Sequence, residues 1–541
     1  MHSRSIGRHG DWLASRARWA REAAALRPVL RHVRVPAVAV VRPVRDGAAW
    51  QGWRAQTVCA AEEFFAREDL DRTPWNAVFD FGSEVVGRLE LSLAPDGFPW
   101  DAPLRVEAKF AESLYELRRA CDATPDGGLS RAWLQDFVVV VDGPVTRVRF
   151  PRRAAFRYVR LRVWGMVRAR WRLAGLFCVT ETSAPPPPAA IRGGENALDA
   201  EIASVSVRTL QWCMQDVFED GPKRDRRLWL GDLRLQALSA YSLWRGTAGF
   251  SAAAALVRRC LLLFASAARD EDGAVPGCLY PRDPDPPEAG NFLFDYQALF
   301  GDVLLDYLDA TGDASTARDL FPAALRQTRL ALAEIDPATG LFRDSGKHWL
   351  FLDWKDGLDK TCGEHGVVVY SALRTRELAL RLGFHRETSD LPARMAKLRR
   401  AARAAWRDPA NGYFVSGPDL QVSWASQIWA VLSGICPARQ APSLLRRTLT
   451  DRVIVGTGGP YLCNQMLLAL MRFGMAREAL SLVRSFWGGM VERGATTFWE
   501  VFDPQDPFRS PYGNPAMNSG CHAWSVPVWF PRKGRCLGRR R

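Results

Sequence analysis

The sequence predicts a molecule of two parts, a β-sandwich followed by a barrel of helical hairpins. Three observations support this prediction. Between residues 46 and 183 apolar and polar residues alternate with a period of two. A proline-rich segment follows at 184–196, and beyond it apolar residues recur at helical spacing. We therefore expect five regions: a basic N-terminal segment (1–45), a β-sandwich (46–183), a linker (184–196), a helical domain (197–531) and a basic tail (532–541).

The sandwich prediction depends on short alternating segments. In RLELSL, Leu89, Leu91 and Leu93 alternate with polar residues, which is typical of a strand with one buried face. The segments that predict strands are 88–93, 137–143, 146–150 and 158–163. The run SAPPPPAAIRGG at 183–194 cannot continue a sheet, because proline has no amide donor. This run predicts a semi-rigid linker.

Helical spacing dominates after the linker. Helices are predicted near 202–212, 233–245, 252–268, 296–307, 315–333, 364–382, 391–406, 424–434, 462–473, 476–487 and 520–528. Two connecting loops have nearly the same sequence, DPATGLF at 336–342 and DPANGYF at 408–414. The repeat indicates a helix-pair unit, and a closed ring of such pairs, an (α/α)6 barrel, explains it. A superhelical solenoid of helix pairs is the alternative.

The net charge of +14 lies at the two ends of the chain. Residues 1–45 contribute +8 and residues 532–541 contribute +6, so the rest is neutral. A nucleic-acid groove needs positive charge on the folded body, so we expect solvated basic ends and no nucleic-acid partner. The longest apolar runs, such as 260–268, are too short to cross a bilayer, and no membrane association is expected.

The eleven cysteines are scattered without CxxC pairs. This spacing argues against a disulfide framework and against a structural zinc site. The pair Glu364–His365 lacks a third ligand at a recognisable spacing, so we predict no metal and no cofactor. No secretory signal is evident at the N-terminus, and the expected location is cytoplasmic.

Two segments combine carboxylates with tryptophan. The first is FEDGPKRDRRLWLGD at 218–232, and the second is GATTFWEVFDP at 494–504. Paired carboxylates near aromatic rings suit hydrolysis of a glycosidic bond, which needs one acid and one base or nucleophile. The 21 tryptophans also suit a carbohydrate cleft, because ring faces pack on sugar C–H faces. The alternative is that Asp220 and Asp225 cap helices and pair with cations on the surface.

These segments resemble motifs of the α-L-rhamnosidases of glycoside hydrolase family 78. A family motif similar to DCPQRDERxGWxGD appears here as DGPKRDRRLWLGD at 220–232, and GATTxWE appears as GATTFWE at 494–500. SGCHAW at 519–524 resembles the family's barrel-closing His segment. The resemblance covers about residues 46–530 and implies a β-sandwich before an (α/α)6 barrel.

The first motif departs from the family pattern, since it is one residue shorter and contains no Glu at the acid position. Without a gap, that position falls on Arg226, which cannot donate a proton at neutral pH. A one-residue gap after Arg224 puts Asp225 there and also brings Trp229, Gly231 and Asp232 into register. With this alignment the resemblance implies that Asp225 is the general acid and Glu500 the general base of an inverting reaction.

The resemblance also implies a sugar pocket. Its lining residues would be Asp220, Arg224, Trp229, Asp232 and His522. Trp354, in LFLDWKDGLDK at 350–360, is a further candidate for stacking on sugar, although this loop also suits a solvated turn.

The predicted partner is a carbohydrate. The predicted activity is exo-acting removal of a terminal sugar, α-L-rhamnose. The alternatives are a catalytically inactive carbohydrate-binding protein on the same fold and a six-hairpin glycosidase with another sugar specificity. The sequence makes no prediction of the oligomeric state.

Overall fold

The chain is sheet-rich in its first third and helical thereafter. The structure, a computed structural model, describes residues 12–67, 75–96, 100–118, 128–164, 168, 170–187, 196–280 and 288–528. The strands of the first part are β1 (Arg34–Pro36), β2 (Ala39–Arg45), β3 (Trp53–Ala60), β4 (Trp75–Asp96), β5 (Leu104–Ala111), β6 (Asp136–Val141), β7 (Arg147–Arg149), β8 (Ala154–Trp164) and β9 (Arg170–Thr180). The helices of this part are α1 (Arg16–Ala25) and α2 (Ala61–Phe65).

All nine strands belong to one antiparallel hydrogen-bonded network. Its main path is β1-β9-β4-β8-β5-β6, while β2 joins β4 to β3, and β7 pairs with β4. The long strand β4 changes partner at Gly87, which faces both Ala154 of β8 and Thr180 of β9. A Cβ at Gly87 would lie 2.1 Å from the carbonyl oxygen of Val179, so only glycine permits this close approach. The four segments predicted as strands lie in β4, β6, β7 and β8, as expected.

The second part consists of helices and a few short strands. The helices are α3 (Ala197–Cys213), α4 (Leu230–Trp244), α5 (Phe250–Ser266), α6 (Phe294–Ala298), α7 (Phe300–Thr311), α8 (Ala314–Ala333), α9 (Thr361–Leu382), α10 (Leu391–Trp406), α11 (Trp424–Leu432), α12 (Ala441–Thr450), α13 (Pro460–Arg472), α14 (Ala476–Leu482) and α15 (Gly488–Glu492). The strands are β10 (Leu228–Trp229), β11 (Cys278–Tyr280), β12 (Glu288–Ala289), β13 (Val415–Ser416) and β14 (Gln421–Val422). In the part of the chain that the structure describes, no helix is long and apolar enough to span a bilayer.

Consecutive helices pack in pairs. The pairs are α4 with α5, α7 with α8, α9 with α10, α11 with α12, and α13 with α14. Their first members contact one another in the order α4, α7, α9, α11, α13. A 3-10 turn at Ala523–Ser525 contacts both α13 and α4.

The repeated loop sequence has the same structure in both copies. The amide of Gly340 donates to the carbonyl of Asp336 at 2.8 Å, and the amide of Gly412 donates to that of Asp408 at 2.7 Å. Both glycines have positive φ, +71° and +73°. Because the loops follow α8 and α10, the second helices of two pairs, the predicted helix-pair repeat is confirmed. A third such turn, ending at Gly273 after α5, lacks the Asp-Pro signal and was not predicted.

One helix prediction was wrong, and another helix was not predicted. Residues 520–528 form only the 3-10 turn, because their amides bond to other segments. His522 N donates to the carbonyl of Phe498 at 2.9 Å, and Val528 N donates to Asn464 Oδ1 at 3.0 Å. Helix α12 was missed in a segment that contains Pro437 and Pro442, although proline is tolerated in the first turn of a helix.

The prediction of a solvated basic segment at 1–45 is wrong for residues 12–45. Strands β1 and β2 are part of the sheet, and α1 packs against α5. Trp19 is fully buried, and its Nε1 donates to Asp319 Oδ2 at 2.6 Å. The basic residues pair with acids of the folded body, as Arg18 does with Asp319 at 2.6 Å. Residues 1–11, most of the linker and the tail at 532–541 lie outside the described residues.

Residues of the sheet domain contact the acid-rich segment 218–232. Arg153 pairs with Glu219 at 2.7 Å, and Lys223 Nζ lies 2.9 Å from Glu112 Oε2. The indole of Trp212, in α3, donates to the carbonyl of Glu84 at 2.9 Å. These buried polar contacts fix the position of the segment between the two parts of the chain.

Candidate active site

The segment 218–232 folds into a tight loop before α4. The amide of Asp220 donates to the carbonyl of Arg227 at 2.9 Å, and the amide of Arg227 donates to Asp220 Oδ1 at 3.0 Å. This closed loop presents Arg224 and Asp225 at its tip. Beyond it, β10 pairs with β11 and places Trp229 directly before α4.

Glu500 is a buried carboxylate near that tip, and three hydrogen bonds fix its position. It is 1% exposed, and its Oε2 atom accepts from Arg224 Nη2 and, at 3.0 Å, from the amide of Ser519. Its Oε1 atom accepts from the Tyr512 hydroxyl at 2.5 Å. Burial raises the pKa of Glu500, but Arg224, His522 and these hydrogen bonds outweigh burial and hold the pKa below the ordinary value. Glu500 is therefore an anion at neutral pH.

Arg224 brings a second carboxylate to the same place. Its Nη1 lies 3.5 Å from Asp225 Oδ1, while its Nη2 contacts Glu500. The guanidinium is fixed by a 2.6 Å bond from Nε to the carbonyl of Met517 and by the ring of Tyr512, 4.4 Å away. On its other side, Asp225 Oδ2 lies 3.3 Å from Arg227 Nη1. One planar cation thus lies between the two carboxylates.

Arg226 points in the opposite direction. Its Nε donates to the carbonyl of Pro222 at 2.8 Å, and its Nη2 donates to the carbonyl of Arg153 in the sheet domain at 2.8 Å. Burial and the nearby Arg153 lower the pKa of Arg226 to about 9. Of the two residues weighed for the acid position, Asp225 is the one that lies beside Arg224 and hence near Glu500.

Three more predicted residues, Asp220, Asp232 and His522, lie beside this pair, and Asp232 and His522 are hydrogen-bonded to each other. Asp232 Oδ1 lies 3.2 Å from His522 Nε2, and Asp232 Oδ2 accepts from the Tyr296 hydroxyl at 3.1 Å. Burial, Asp225 and Asp232 raise the pKa of Asp220 to about 7. Burial lowers the pKa of His522, but Asp232 and Glu500 outweigh it and raise the pKa. His522 Nδ1 is buried and has no hydrogen-bond partner among the described residues.

Aromatic rings lie next to these polar groups. The Trp229 ring lies 6.3 Å from Tyr296 and 6.0 Å from Trp349, nearly perpendicular to both. The Trp354 ring lies 5.6 Å from Tyr512, the residue that bonds Glu500. Trp229 and Trp354 are partly exposed, which leaves ring surface for a ligand.

All eight residues predicted for the site therefore lie in one connected group. Trp354 is connected to the group by its contact with the ring of Tyr512. This contact favours stacking on sugar as the role of Trp354 over a place in a solvated turn. The surface-capping alternative for Asp220 does not fit, because Asp220 is 3% exposed. Sequence reasoning missed Tyr512, Tyr296 and Arg227. Arg227 lies inside the quoted motif, whereas Tyr512 and Tyr296 carry no sequence signal.

Comparison with known proteins identifies the family of the chain. Residues 37–174 match the glycosyl hydrolase family 78 alpha-rhamnosidase N-terminal domain. Residues 195–533 match the bacterial alpha-L-rhamnosidase 6 hairpin glycosidase domain. The solved structure of a rhamnosidase from Klebsiella oxytoca with rhamnose bound is 41% identical, covers 96% of this chain and 98% of its own, and gives a TM-score of 0.88.

More distant structures share the fold. A family 78 rhamnosidase of Bacillus sp. GL1 is 22% identical, with a TM-score of 0.68 over 84% of this chain and 45% of its own. A Streptomyces avermitilis α-L-rhamnosidase complexed with L-rhamnose is 18% identical, with a TM-score of 0.64 over 93% of this chain and 43% of its own. No curated protein sequence is a significant match. With both domain models matched in order and a rhamnosidase aligned over nearly the whole chain, the chain belongs to the α-rhamnosidases of glycoside hydrolase family 78 and is a glycoside hydrolase.

Proposed function

We propose that the chain is an exo-acting, inverting hydrolase that removes terminal α-L-rhamnose from glycosides. The observation that carries this proposal is the Arg224 guanidinium, which lies between the carboxylates of Asp225 and Glu500. An inverting glycosidase needs two carboxyl groups far enough apart to admit a water molecule. The guanidinium contacts each carboxylate through a different nitrogen atom, and this separation favours separate roles for them.

Glu500 suits the role of general base. Its lowered pKa keeps it ionised, and Arg224, Ser519 and Tyr512 fix both of its oxygens. It would take a proton from water as the water oxygen attacks the anomeric carbon. Asp225 would give its proton to the glycosidic oxygen as the bond to the anomeric carbon breaks, so that the aglycone leaves as a neutral alcohol.

The remaining residues suit recognition of a monosaccharide. Asp220, Asp232 and His522 are hydrogen-bonding groups for ring hydroxyls, while Trp229 and Trp354 offer apolar faces. Support for rhamnose comes from the Klebsiella oxytoca rhamnosidase, 41% identical, whose solved structure contains this sugar.

We also infer that the fold is a β-sandwich followed by an (α/α)6 barrel. Support for the barrel comes from the order of helix contacts, with Ala523–Ser525 next to both α13 and α4. Support for the sandwich comes from β4, whose two halves pair with β8 and β9.

The test is to follow the hydrolysis of 4-nitrophenyl α-L-rhamnoside by proton NMR. The proposal predicts that β-L-rhamnose is formed first and that Glu500→Gln abolishes its formation. A panel of aryl fucoside, glucuronide and mannoside should be hydrolysed far more slowly. If the α anomer forms first, the reaction is not inverting. Sugar binding without turnover of any aryl glycoside would instead identify an inactive carbohydrate-binding protein.

A further inference from the structure

A buried cluster of charges lies between the sheet domain and the loops that hold Glu500. Lys223 Nζ lies 2.9 Å from Glu112 Oε2 and 3.1 Å from Glu116 Oε1. The three side chains are at most 7% exposed, and Glu112 directly follows β5 of the sheet domain. Lys223 stands where the family motif has Gln, and a neutral side chain there would leave two buried carboxylates without this cation.

The cluster contacts the main chain of alternate residues in one loop segment. Lys223 Nζ donates to the carbonyl of Ala516 at 3.3 Å and also to the carbonyl of Asn518. Glu112 Oε2 accepts from the amide of Gly520 at 2.5 Å. A Cβ at Gly520 would lie 2.9 Å from the Cβ of Glu112, so this end of the segment packs closely against the sheet domain.

The residues between these contacts hold the proposed base. The carbonyl of Met517 accepts from Arg224 Nε at 2.6 Å, and Arg224 Nη2 donates to Glu500 Oε2. The amide of Ser519 donates to the same oxygen atom of Glu500 at 3.0 Å. The segment 516–520 therefore bonds to the cluster through its even-numbered residues, and to Arg224 and Glu500 through its odd-numbered ones.

We propose that Glu112 of the sheet domain is a positioning residue for hydrolysis. It fixes the residues next to Arg224 and Ser519, the two groups that bond to Glu500 Oε2. Misplacing a catalytic group by about 1 Å can cost on the order of 100-fold in rate, so this support matters for the rate and not only for stability. The inference rests on the proposed role of Glu500 as the general base.

A displaced Glu500 should also titrate differently. The charged and titratable groups that face it are Arg224, Tyr512, His522 and Asp232. Burial raises the pKa of Glu500, and Arg224 and the amide of Ser519 are among the groups that outweigh burial and lower it. Weakening these two contacts should let the pKa rise. Because the base is lost as pH falls through this pKa, the acid limb of the kcat/KM profile should move to higher pH.

The test is to measure the hydrolysis of 4-nitrophenyl α-L-rhamnoside by Glu112→Gln across pH. Gln keeps the size of the side chain and removes the charge that pairs with Lys223. We expect kcat to fall by about tenfold or more with KM nearly unchanged, and the acid limb to move to higher pH. Glu116→Gln should have a smaller effect, because Glu112 would still bond to Gly520.

Asp199→Asn is the matched control. Asp199, in α3, is 5% exposed and pairs with Arg484 at 2.7 Å, so this change also removes the charge of a buried ion pair. It should lower the melting temperature but leave kcat and the acid limb as in the wild type. An acid limb that moves equally in Asp199→Asn and Glu112→Gln would show general destabilisation and would overturn the proposal.

A second variant keeps the test decisive if Glu112→Gln does not fold. Gly520→Ala adds a methyl group 2.9 Å from Glu112 Cβ and should push the two residues apart, with the same direction of change in kcat and in the acid limb. Wild-type values of both in a folded variant would overturn the proposal. Failure of the proposed function is distinguishable, since Glu500→Gln would then retain activity.

Discussion

At the scale of single residues, the site is organised around the charge of Arg224. Its guanidinium is buried against Glu500 and Asp225, and its Nε bonds to a main-chain carbonyl. This buried cation holds the pKa of Glu500 below its ordinary value, which suits a base. Burial, Asp225 and Asp232 raise the pKa of Asp220, in the same loop, to about 7.

Tyr512→Phe tests how Glu500 is held as a base. The Tyr512 hydroxyl is one of the groups that lower the pKa of Glu500, so its removal should raise that pKa. Since the base is lost as pH falls through this pKa, the acid limb of the kcat/KM profile should move to higher pH. Tyr413→Phe, which removes a 3.0 Å bond to Asp451 away from the site, is the control. An unmoved acid limb would contradict the role given to Tyr512.

Asp220→Asn tests whether burying the carboxylate of Asp220 costs stability. The folded-state pKa of about 7 lies above the ordinary value of 3.8, so the wild type loses stability as pH rises from about 4 to 7. At roughly 1.4 kcal/mol per pKa unit, this amounts to at most about 4 kcal/mol. Urea unfolding should therefore find Asp220→Asn more stable than wild type at pH 8, with the gain vanishing towards pH 4. Asp356→Asn, at an exposed carboxylate, should show no such pH dependence.

At the scale of elements, the positions of regular strands and helices were predictable from the sequence. The backbone conformation of the loops that carry the site was not. The strand at 88–93 and the helix at 315–333 carry clear periodicity, and both are present. The turn at 520–528 has a helical pattern of apolar residues because it packs beside α13 and α4, yet its amides bond to distant segments. Periodicity reports which side chains are buried and not where the backbone donors go.

The left-handed turns at Gly340 and Gly412 give a prediction at this scale. Alanine at either position must adopt positive φ, which costs about 1 kcal/mol or more. Gly340→Ala and Gly412→Ala should each lower the free energy of unfolding by that amount, measured with urea. Gly456→Ala is the control, since a Cβ there meets nothing within 4 Å and its φ is not positive. Equal effects at all three positions would refute the explanation.

At the scale of the whole molecule, the two basic ends are expected to differ. Composition alone predicts both as solvated, but Trp19 is fully buried and bonded to Asp319. The charge count could not reveal this, because acids that pair with the N-terminal arginines lie far along the chain, as Asp319 does from Arg18. The grouping of the candidate site residues was easier to predict, because seven of the eight lie in three segments that resemble family motifs, and Trp354 lies in the loop 350–360.

Trp19→Ala should therefore lower the free energy of unfolding by about 3–5 kcal/mol, the usual cost of removing a buried Trp side chain. Trimming of residues 532–541 should leave the melting temperature and the activity unchanged while lowering the isoelectric point. The free energy of unfolding is measured with urea and the melting temperature by heating the purified chain. A large loss of stability on trimming would show that the tail is docked.

The most direct test of the central claim compares two substrates in two variants. If Asp225 protonates the leaving oxygen, Asp225→Asn should slow hydrolysis of an alkyl rhamnoside by on the order of 10²–10⁴-fold. It should slow an aryl rhamnoside with a good leaving group far less, whereas Glu500→Gln should slow both alike. Asp220→Asn and Asp232→Asn should leave the ratio of the two rates unchanged. A ratio that changes in Asp220→Asn or Asp232→Asn, and not in Asp225→Asn, would contradict the assignment of Asp225 as the general acid.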